Sequence, residues 1–313
     1  MEIIKLHHPY HPSEIPAEEV VMVLGFFDGV HKGHQEVIQT GKRIAQKREL
    51  KLAVMTFNQH PAVVFQKVDQ HPIHYLSNLN QKERLMEQLG VDYLYEVAFT
   101  SAFAAQSPQE FVDRYIVDLH GKVAVSGFDY TYGKGAEADV AHLPIYAKER
   151  FDVVTVPKQI DHDEKISSSR IRRLLNEGNM EEANHLLGYI YETNGIVIHG
   201  DARGRELGYP TANIQIENDM TLPKMGVYAN KVLVNGEWYI GMGSIGRNDT
   251  FEPNRKITVE INLLDFDQNI YGEEVNVRWY SLLRDQVKFE SAEKLIEQLK
   301  IDENNTRDYF LQH

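Results

Sequence analysis

From Val20 to about Pro157 the apolar residues fall in short, nearly unbroken runs: VVMVL (20–24), LAVMTF (52–57), YLYEV (93–97), KVAVSGF (122–128) and DVVTV (152–156). Runs that do not alternate suit strands buried on both faces. Between them lie QEVIQTGKRIAQKREL, NQKERLMEQLG and PQEFVDRYIVDLHG, with Leu85 and Leu89 one turn apart and Phe111, Tyr115 and Leu119 stacked on one face. Strand and helix in alternation predict right-handed crossovers and a parallel, doubly wound sheet. The first helix is expected to begin near Gln35. Residues 58–78, with two prolines and little periodicity, predict a long loop near a site.

Two helical stretches, ISSSRIRRLLNEG and NMEEANHLLG, follow, and after Gly188 the period changes to two. The segments YETNGIVIHG, GVYANKVLVNGEWYIGMGSIG and KITVEINLLDFDQNIYGEEVNVRWY carry turn signals at Asn235-Gly236 and DFDQN. Closely spaced strands without intervening helices predict a small antiparallel barrel or sandwich, and SAEKLIEQLKIDENNTRDYFLQ one or two closing helices. The expected organisation is an α/β domain over 1–185 and a β domain over 186–313. No internal repeat or low-complexity segment interrupts it.

Length agrees with two cores, since 313 residues exceed the roughly 100 to 200 of a typical domain. A formal charge of −13 repels polyanions over the surface as a whole, so no nucleic-acid partner is expected and an anionic ligand needs a locally basic pocket. The sequence has no cysteine, which excludes disulfides and thiolate metal sites and makes a reducing cytoplasm the simplest location. The first twenty residues lack an apolar signal core, and no run approaches the ~20 residues that span a bilayer, so no membrane association is expected.

GFFDGVHKGH (25–34) stands directly after the first buried run. In a doubly wound fold, a glycine-containing loop between strand and helix offers backbone amides and a helix N-terminus to phosphate. His31 and His34, three residues apart, could both point at one ligand and donate to a phosphoryl oxygen. A metal pair or simple helix capping are the competing readings, and the spacing excludes GxxxxGK[ST]. ISSSRIRRLL adds serines at a helix start followed by Arg170, Arg172 and Arg173, a second basic element for a triphosphate pocket or else a solvated face.

Taken together these stretches resemble known motifs. GFFDGVHKGH is similar to the GxFDGxHxGH signature of the nucleotidylyltransferase superfamily as found in bacterial FAD synthetases. ISSSRIR resembles their ISSTxIR, TFNQHP (56–61) their TFDPHP, and GFDYTYG (127–133) their flavin-side GxDFxFG. GRELGYPTANI (204–214) resembles the GRxLGFPTANI of riboflavin kinases, and VEINLLDFD (259–267) their VEVHLLDFD. The motifs keep the family's order across nearly the whole chain, which is identified as a member of the bifunctional riboflavin kinase/FMN adenylyltransferase family. Phe26 replaces a common asparagine, Asn58-Gln59 an Asp-Pro pair, Ser169 a threonine, Asp249 a proline and Asn262 a histidine.

The resemblance implies a nucleotidylyltransferase domain with a Rossmann-like sheet and a riboflavin kinase β-barrel. Riboflavin, FMN and ATP are the implied partners, Mg²⁺ the implied cofactor and FAD the product; homo-oligomerisation is left open. In the first half it assigns His31, His34 and Arg172 to catalysis, Gly25, Phe27, Asp28, Gly29, Ser168 and Ser169 to ATP, and Asp129, Tyr130 and Tyr132 to the flavin. In the second it assigns Gly204, Arg205, Gly208 and Pro210 to a nucleotide loop, Thr211 and Asn213 to the metal, and Glu260 to general base catalysis on the ribityl hydroxyl. Two alternatives stand beside it: a single active half, or a β half that binds flavin or RNA.

Overall fold

Each of the five apolar runs is a strand in the computed structural model, which describes residues 1–65, 73–133, 137–200, 208–247 and 257–313. The chain divides into two compact units, Met1–Ser168 and Ser169–His313.

In the first unit the strands are β1 (Glu2–Leu6), β2 (Val20–Leu24), β3 (Lys51–Phe57), β4 (Tyr93–Val97), β5 (Gly121–Gly127) and β6 (Asp152–Val156). They form one sheet in the order β1-β4-β3-β2-β5-β6, with every pairing parallel. Successive side chains of β2 go to opposite cores: Val20, Met22 and Leu24 to one and Val21 and Val23 to the other. All five are buried, so the expected non-alternation follows from helices covering both faces. The strand missing from the sequence reading is β1, whose pattern Ile4-Lys5-Leu6 alternates because it is an edge strand, paired with β4 alone.

The helices between these strands are α1 (Lys32–Arg48), α2 (Ala62–Phe65), α3 (Leu79–Leu89), α4 (Ser101–Ala104), α5 (Pro108–Val112) and α6 (Leu143–Ala147). The first begins at Lys32 rather than near Gln35, because His31 serves as its N-cap. A capping box between Asn78 and Gln81 starts α3, and Gly90 ends it in the left-handed conformation. Beyond α5 the chain continues in wider turns over Asp113–Val117, keeping Phe111, Tyr115 and Leu119 buried. In the expected loop, α2 occupies part of 58–78, and 66–72 lie outside the described residues. A two-strand hairpin, β7 (Ile160–Asp161) and β8 (Glu164–Lys165), precedes α7 (Ser168–Glu177).

In the second unit, α8 (Met180–Leu187) leads into a closed barrel of β9 (Glu192–Ile198), β10 (Ala212–Ile216), β11 (Gly226–Val234), β12 (Glu237–Gly246), β13 (Thr258–Leu263) and β14 (Glu274–Arg284). All its pairings are antiparallel, in the order β10-β13-β12-β11-β14-β9. The β11–β12 hairpin turns at Asn235-Gly236, both at positive φ, which is the geometry such a dipeptide favours. Trp279 is fully buried, its indole N–H donating to Thr193 at 2.9 Å. A single closing helix, α9 (Ala292–Gln312), follows; Arg284 holds its buried Asp302 through three hydrogen bonds of 2.7 to 3.0 Å.

Candidate active sites

The sheet order reverses between β2 and β5, so the loops leaving their carboxyl ends, 25–31 and 128–133, flank the crevice where doubly wound sheets bind ligands. The first loop is under backbone strain. Phe27 and Val30 hold φ of +56° and +36°, a region that costs a residue with a Cβ about 1–3 kcal/mol. What holds it there is polar: the Asp28 carboxylate accepts from the amides of Leu76 and Ser77 at 2.9 and 3.4 Å, and the Gly29 amide donates to Ser77 Oγ at 2.9 Å. Gly25 continues the ladder, its amide donating to the Met55 carbonyl.

His31 is buried, and its Nδ1 accepts from the amide of His34 at 3.3 Å. That bond leaves the neutral ring's proton on Nε2, the nitrogen then able to donate to a ligand. The His34 ring stacks on His31 with centroids 3.6 Å apart, and Phe27 meets it edge-on at 5.4 Å. His34 is held well below the usual imidazole range, chiefly by burial and then by the charges of His31, Lys82 and Lys165. Its Nδ1 is buried without a hydrogen-bond partner among the described residues, a polar atom left for a ligand. Gly33 permits the stack, since a Cβ there would lie 3.1 Å from the His31 ring.

Ser168, the first residue of α7, donates to the Asp28 carbonyl at 3.0 Å, so the ISSSRIR motif begins against the GFFDG loop. Ser169 and Arg172 follow on the first turns of that helix. Arg170, in contrast, is 7% exposed and donates to Glu182 of α8 at 2.9 Å, a contact that holds the two helices together. On the far side of the crevice, Asp129 takes the Lys165 ammonium, which also lies 4.6 Å from the Phe128 ring. Tyr130 and Tyr132 pack against the core beneath, Tyr132 stacked on Phe111 at 5.3 Å. The Tyr132 hydroxyl is buried without a hydrogen-bond partner among the described residues. Lys82 and Lys165, whose charges act on His34, were not legible in the sequence, because each comes near the histidines only through the fold.

The second unit assembles its candidate site across strands. Asn213 on β10 stands directly opposite Glu260 on β13, and Glu260 opposite Ser244 on β12. Alternation along β13 buries Val259, Ile261 and Leu263 on one face and so puts Glu260 on the other, whereas Ile257 lies before the strand and is exposed. Gly200 makes room for the Asn213 amide, because a Cβ there would fall 2.1 Å from Nδ2. Asn262 donates to the Pro210 carbonyl at 2.7 Å, fixing the chain just before Thr211. Gly208 and Pro210 are exposed, and Gly204, Arg205 and Asp249 lie outside the described residues.

A cleft of about 380 Å³ opens beside Thr211, lined also by Pro210, Leu263, Phe266, Ile270 and Tyr271. The DFDQN stretch, which reads as a turn signal in the sequence, supplies one of its walls. Helix α9 braces this side: Tyr209 donates to Glu303 at 3.3 Å, and Arg307 grips Asp265 at 2.7 and 2.9 Å. Among the described residues no group of three or more His, Cys, Asp or Glu could hold a metal ion, which leaves the metal reading of His31 and His34 without a third ligand of those types.

Residues 14–170 match a family model described as FAD synthetase, and residues 187–310 one described as Riboflavin kinase. Similar proteins called bifunctional riboflavin kinase/FMN adenylyltransferase occur in Listeria monocytogenes (50% identical over 310 residues, 99% of this chain and 98% of that protein), Bacillus subtilis (43%, with 99% and 98% covered) and Escherichia coli (34%, with 95% of each covered). A solved structure from Streptococcus pneumoniae, described as a macrolide-efflux protein, superposes with a TM-score of 0.88 at 38% identity, covering 97% of this chain and 99% of that one. Among the described residues here, no helix is long and apolar enough to cross a membrane.

Proposed function

The chain belongs to the bifunctional riboflavin kinase/FMN adenylyltransferase family, and from that premise we propose how its own residues divide the work. The enzyme phosphorylates riboflavin with ATP to FMN, then transfers an adenylyl group from a second ATP to FMN, releasing pyrophosphate and FAD. We place the functional boundary at 185/186, in the interval between the two matched segments, with adenylyl transfer before it and phosphoryl transfer after it.

In adenylyl transfer the nucleophile is the FMN phosphate, already ionised, so no base is required. A phosphate oxygen bonds to the α-phosphorus of ATP as the bond to the pyrophosphate oxygen breaks. What the protein adds is position and charge stabilisation. His31, donating from Nε2, and the neutral His34 contact the reacting phosphate, while Ser168, Ser169 and Arg172 take the departing pyrophosphate. Gly25, Phe27, Asp28 and Gly29 shape the loop around ATP, and Asp129, Tyr130 and Tyr132 line the flavin side. The observation that carries this reading is the stacked histidine pair at a helix N-terminus, with the His34 Nδ1 buried and without a hydrogen-bond partner among the described residues.

In phosphoryl transfer the nucleophile is the ribityl 5′-hydroxyl, which gains from losing its proton. Glu260 takes that proton while the hydroxyl oxygen bonds to the γ-phosphorus and ADP leaves. Thr211 and Asn213 offer oxygen donors, the hard ligands Mg²⁺ accepts beside phosphate oxygens and water, and the place of Asn213 against Gly200 and across from Glu260 fits that use. The ion, bound there with ATP, would neutralise charge on the phosphates. Gly204, Arg205, Gly208 and Pro210 are assigned to the nucleotide on the strength of the family motif. Both reactions are assigned to the cytoplasm, on the use of ATP and the absence of cysteine. With a charge of −13, no nucleic-acid partner is assigned.

Time courses on the purified protein, with the flavins separated by chromatography, test the assignment. Arg172→Ala should slow FAD formation and its pyrophosphate-driven reversal equally; unequal losses would remove Arg172 from the pyrophosphate. Chelating Mg²⁺ should stop FMN formation, and a kinase rate indifferent to chelation would remove the metal role of Thr211 and Asn213.

A further inference from the structure

Beneath the GFFDG loop lies a cation that none of the roles above uses. Lys82, on α3, is only 3% exposed. Its ammonium donates to the Phe26 carbonyl at 2.8 Å and to Thr56 Oγ1 at 3.2 Å, and sits 4.3 Å from the Phe26 ring. Thr56, from β3, donates to the same Phe26 carbonyl at 2.8 Å, so one backbone oxygen is held by two side chains. We propose that Lys82 is a positioning residue for adenylyl transfer: it ties the strained loop to β3 and so sets where Phe27, Asp28 and the histidine pair stand. This inference rests on the placement of that reaction at His31 and His34.

Three features argue for a role beyond packing. The loop it grips is the one that holds Phe27 and Val30 in the left-handed region, and a strained backbone persists only where its surroundings over-determine it. Next, a full charge is an expensive way to satisfy a carbonyl and a hydroxyl, because an ammonium removed from water must be compensated. Burial pulls Lys82 down to about 8, while the charges of Asp28 and Glu96 act to keep it protonated. Glu96 in turn faces Glu83 and Lys5. Finally, the charge reaches the reacting group: Lys82, with His31 and Lys165, helps keep His34 neutral. A positive centre under this loop also favours the anionic substrates above it.

The test uses the full-length chain carrying Lys82→Met, Lys82→Arg or His31→Ala, assayed for FAD formation from FMN and ATP between pH 6 and 10. Lys82→Met should lower kcat about 30-fold or more with KM for ATP within threefold. The wild-type kcat/KM should fall on an alkaline limb beginning near pH 8, which Lys82→Met abolishes. Lys82→Arg should keep at least a third of kcat and move that limb beyond the range measured; it carries the test alone if Lys82→Met does not fold. A Lys82→Met enzyme within threefold of wild-type kcat overturns the inference. So does one that loses activity but retains the wild-type limb, or an arginine variant whose limb does not move, since a purely structural tie would leave the pH profile alone. Unimpaired FAD formation by His31→Ala would instead overturn the site itself, and the Lys82 role with it.

Discussion

The two halves of the molecule solve the same problem, holding ATP phosphates beside a flavin, with different materials. In the α/β half, the groups we propose for the phosphates come from one contiguous loop and the helix it starts, so backbone amides, an N-cap histidine and a helix terminus converge within ten residues. In the barrel the proposed base and metal residue meet because strands lie side by side: Asn213 and Glu260 share one row across strands, with Ser244 as the next neighbour. The lesson concerns tolerance. A loop site depends on keeping a strained backbone in place, as Phe27 and Val30 show, whereas a cross-strand site depends on register, which a barrel without free edges fixes firmly.

The separability of the halves is the first thing to break. His31→Ala should cut FAD formation about 10³-fold, as expected for loss of a donor to developing phosphoryl charge, and leave FMN formation at the wild-type rate; chromatography of both products decides it, and equal losses would contradict two independent sites. Glu260→Gln should do the reverse, lowering FMN formation about 10²-fold with adenylyl transfer intact. An unchanged kinase rate would remove Glu260 as the base.

A smaller effect sharpens the contrast between loop and register. A methyl group at Gly33 would press on the His31 ring from 3.1 Å, and one at Gly200 would overlap the Asn213 amide at 2.1 Å. Gly33→Ala should therefore reduce the adenylyl kcat by roughly tenfold and Gly200→Ala the kinase kcat by at least as much, each sparing the other reaction. If both variants lost both activities, local crowding would not be the cause.

The smallest expected effect concerns stability. Burial, then Glu83, raises Glu96 to about 7 from an ordinary 4.5, so its charged form is disfavoured in the folded state. The unfolded chain then releases this proton first, and the wild type loses stability as pH climbs from about 4.5 through 7. Glu96→Gln removes that loss: calorimetry should find it melting a few degrees above wild type at pH 8 and level with it at pH 4.5. A variant that melts lower at pH 8 would mean that the carboxylate is worth more to Lys82 and Lys5 than its burial costs.

Much of this was legible in the chain. The five apolar runs, the loop at the reversal of strand order and the period change after Gly188 follow from patterns that local sequence imposes directly, although DVVTV, expected to be buried on both faces, lies at the sheet edge with only Val156 buried. The edge strand β1 was missed because a strand with one neighbour needs only alternate apolar residues, a weak signal over five positions. Arg170 looked like its neighbours Arg172 and Arg173, and only the packing of α7 on α8 turned it toward Glu182.

The sequence by itself determined which segments become strands, where the glycine-rich loop meets a helix start and hence what family chemistry the chain carries, because these depend on residues within a few positions of one another. Only the tertiary structure decided which partners meet. Lys82 reaches the carbonyl of Phe26, 56 positions away, because α3 lies over the sheet there, and Glu260 faces Asn213 because two strands distant in the sequence share a register. Such encounters depend on the packing of whole elements, and short-range periodicity contains no record of them.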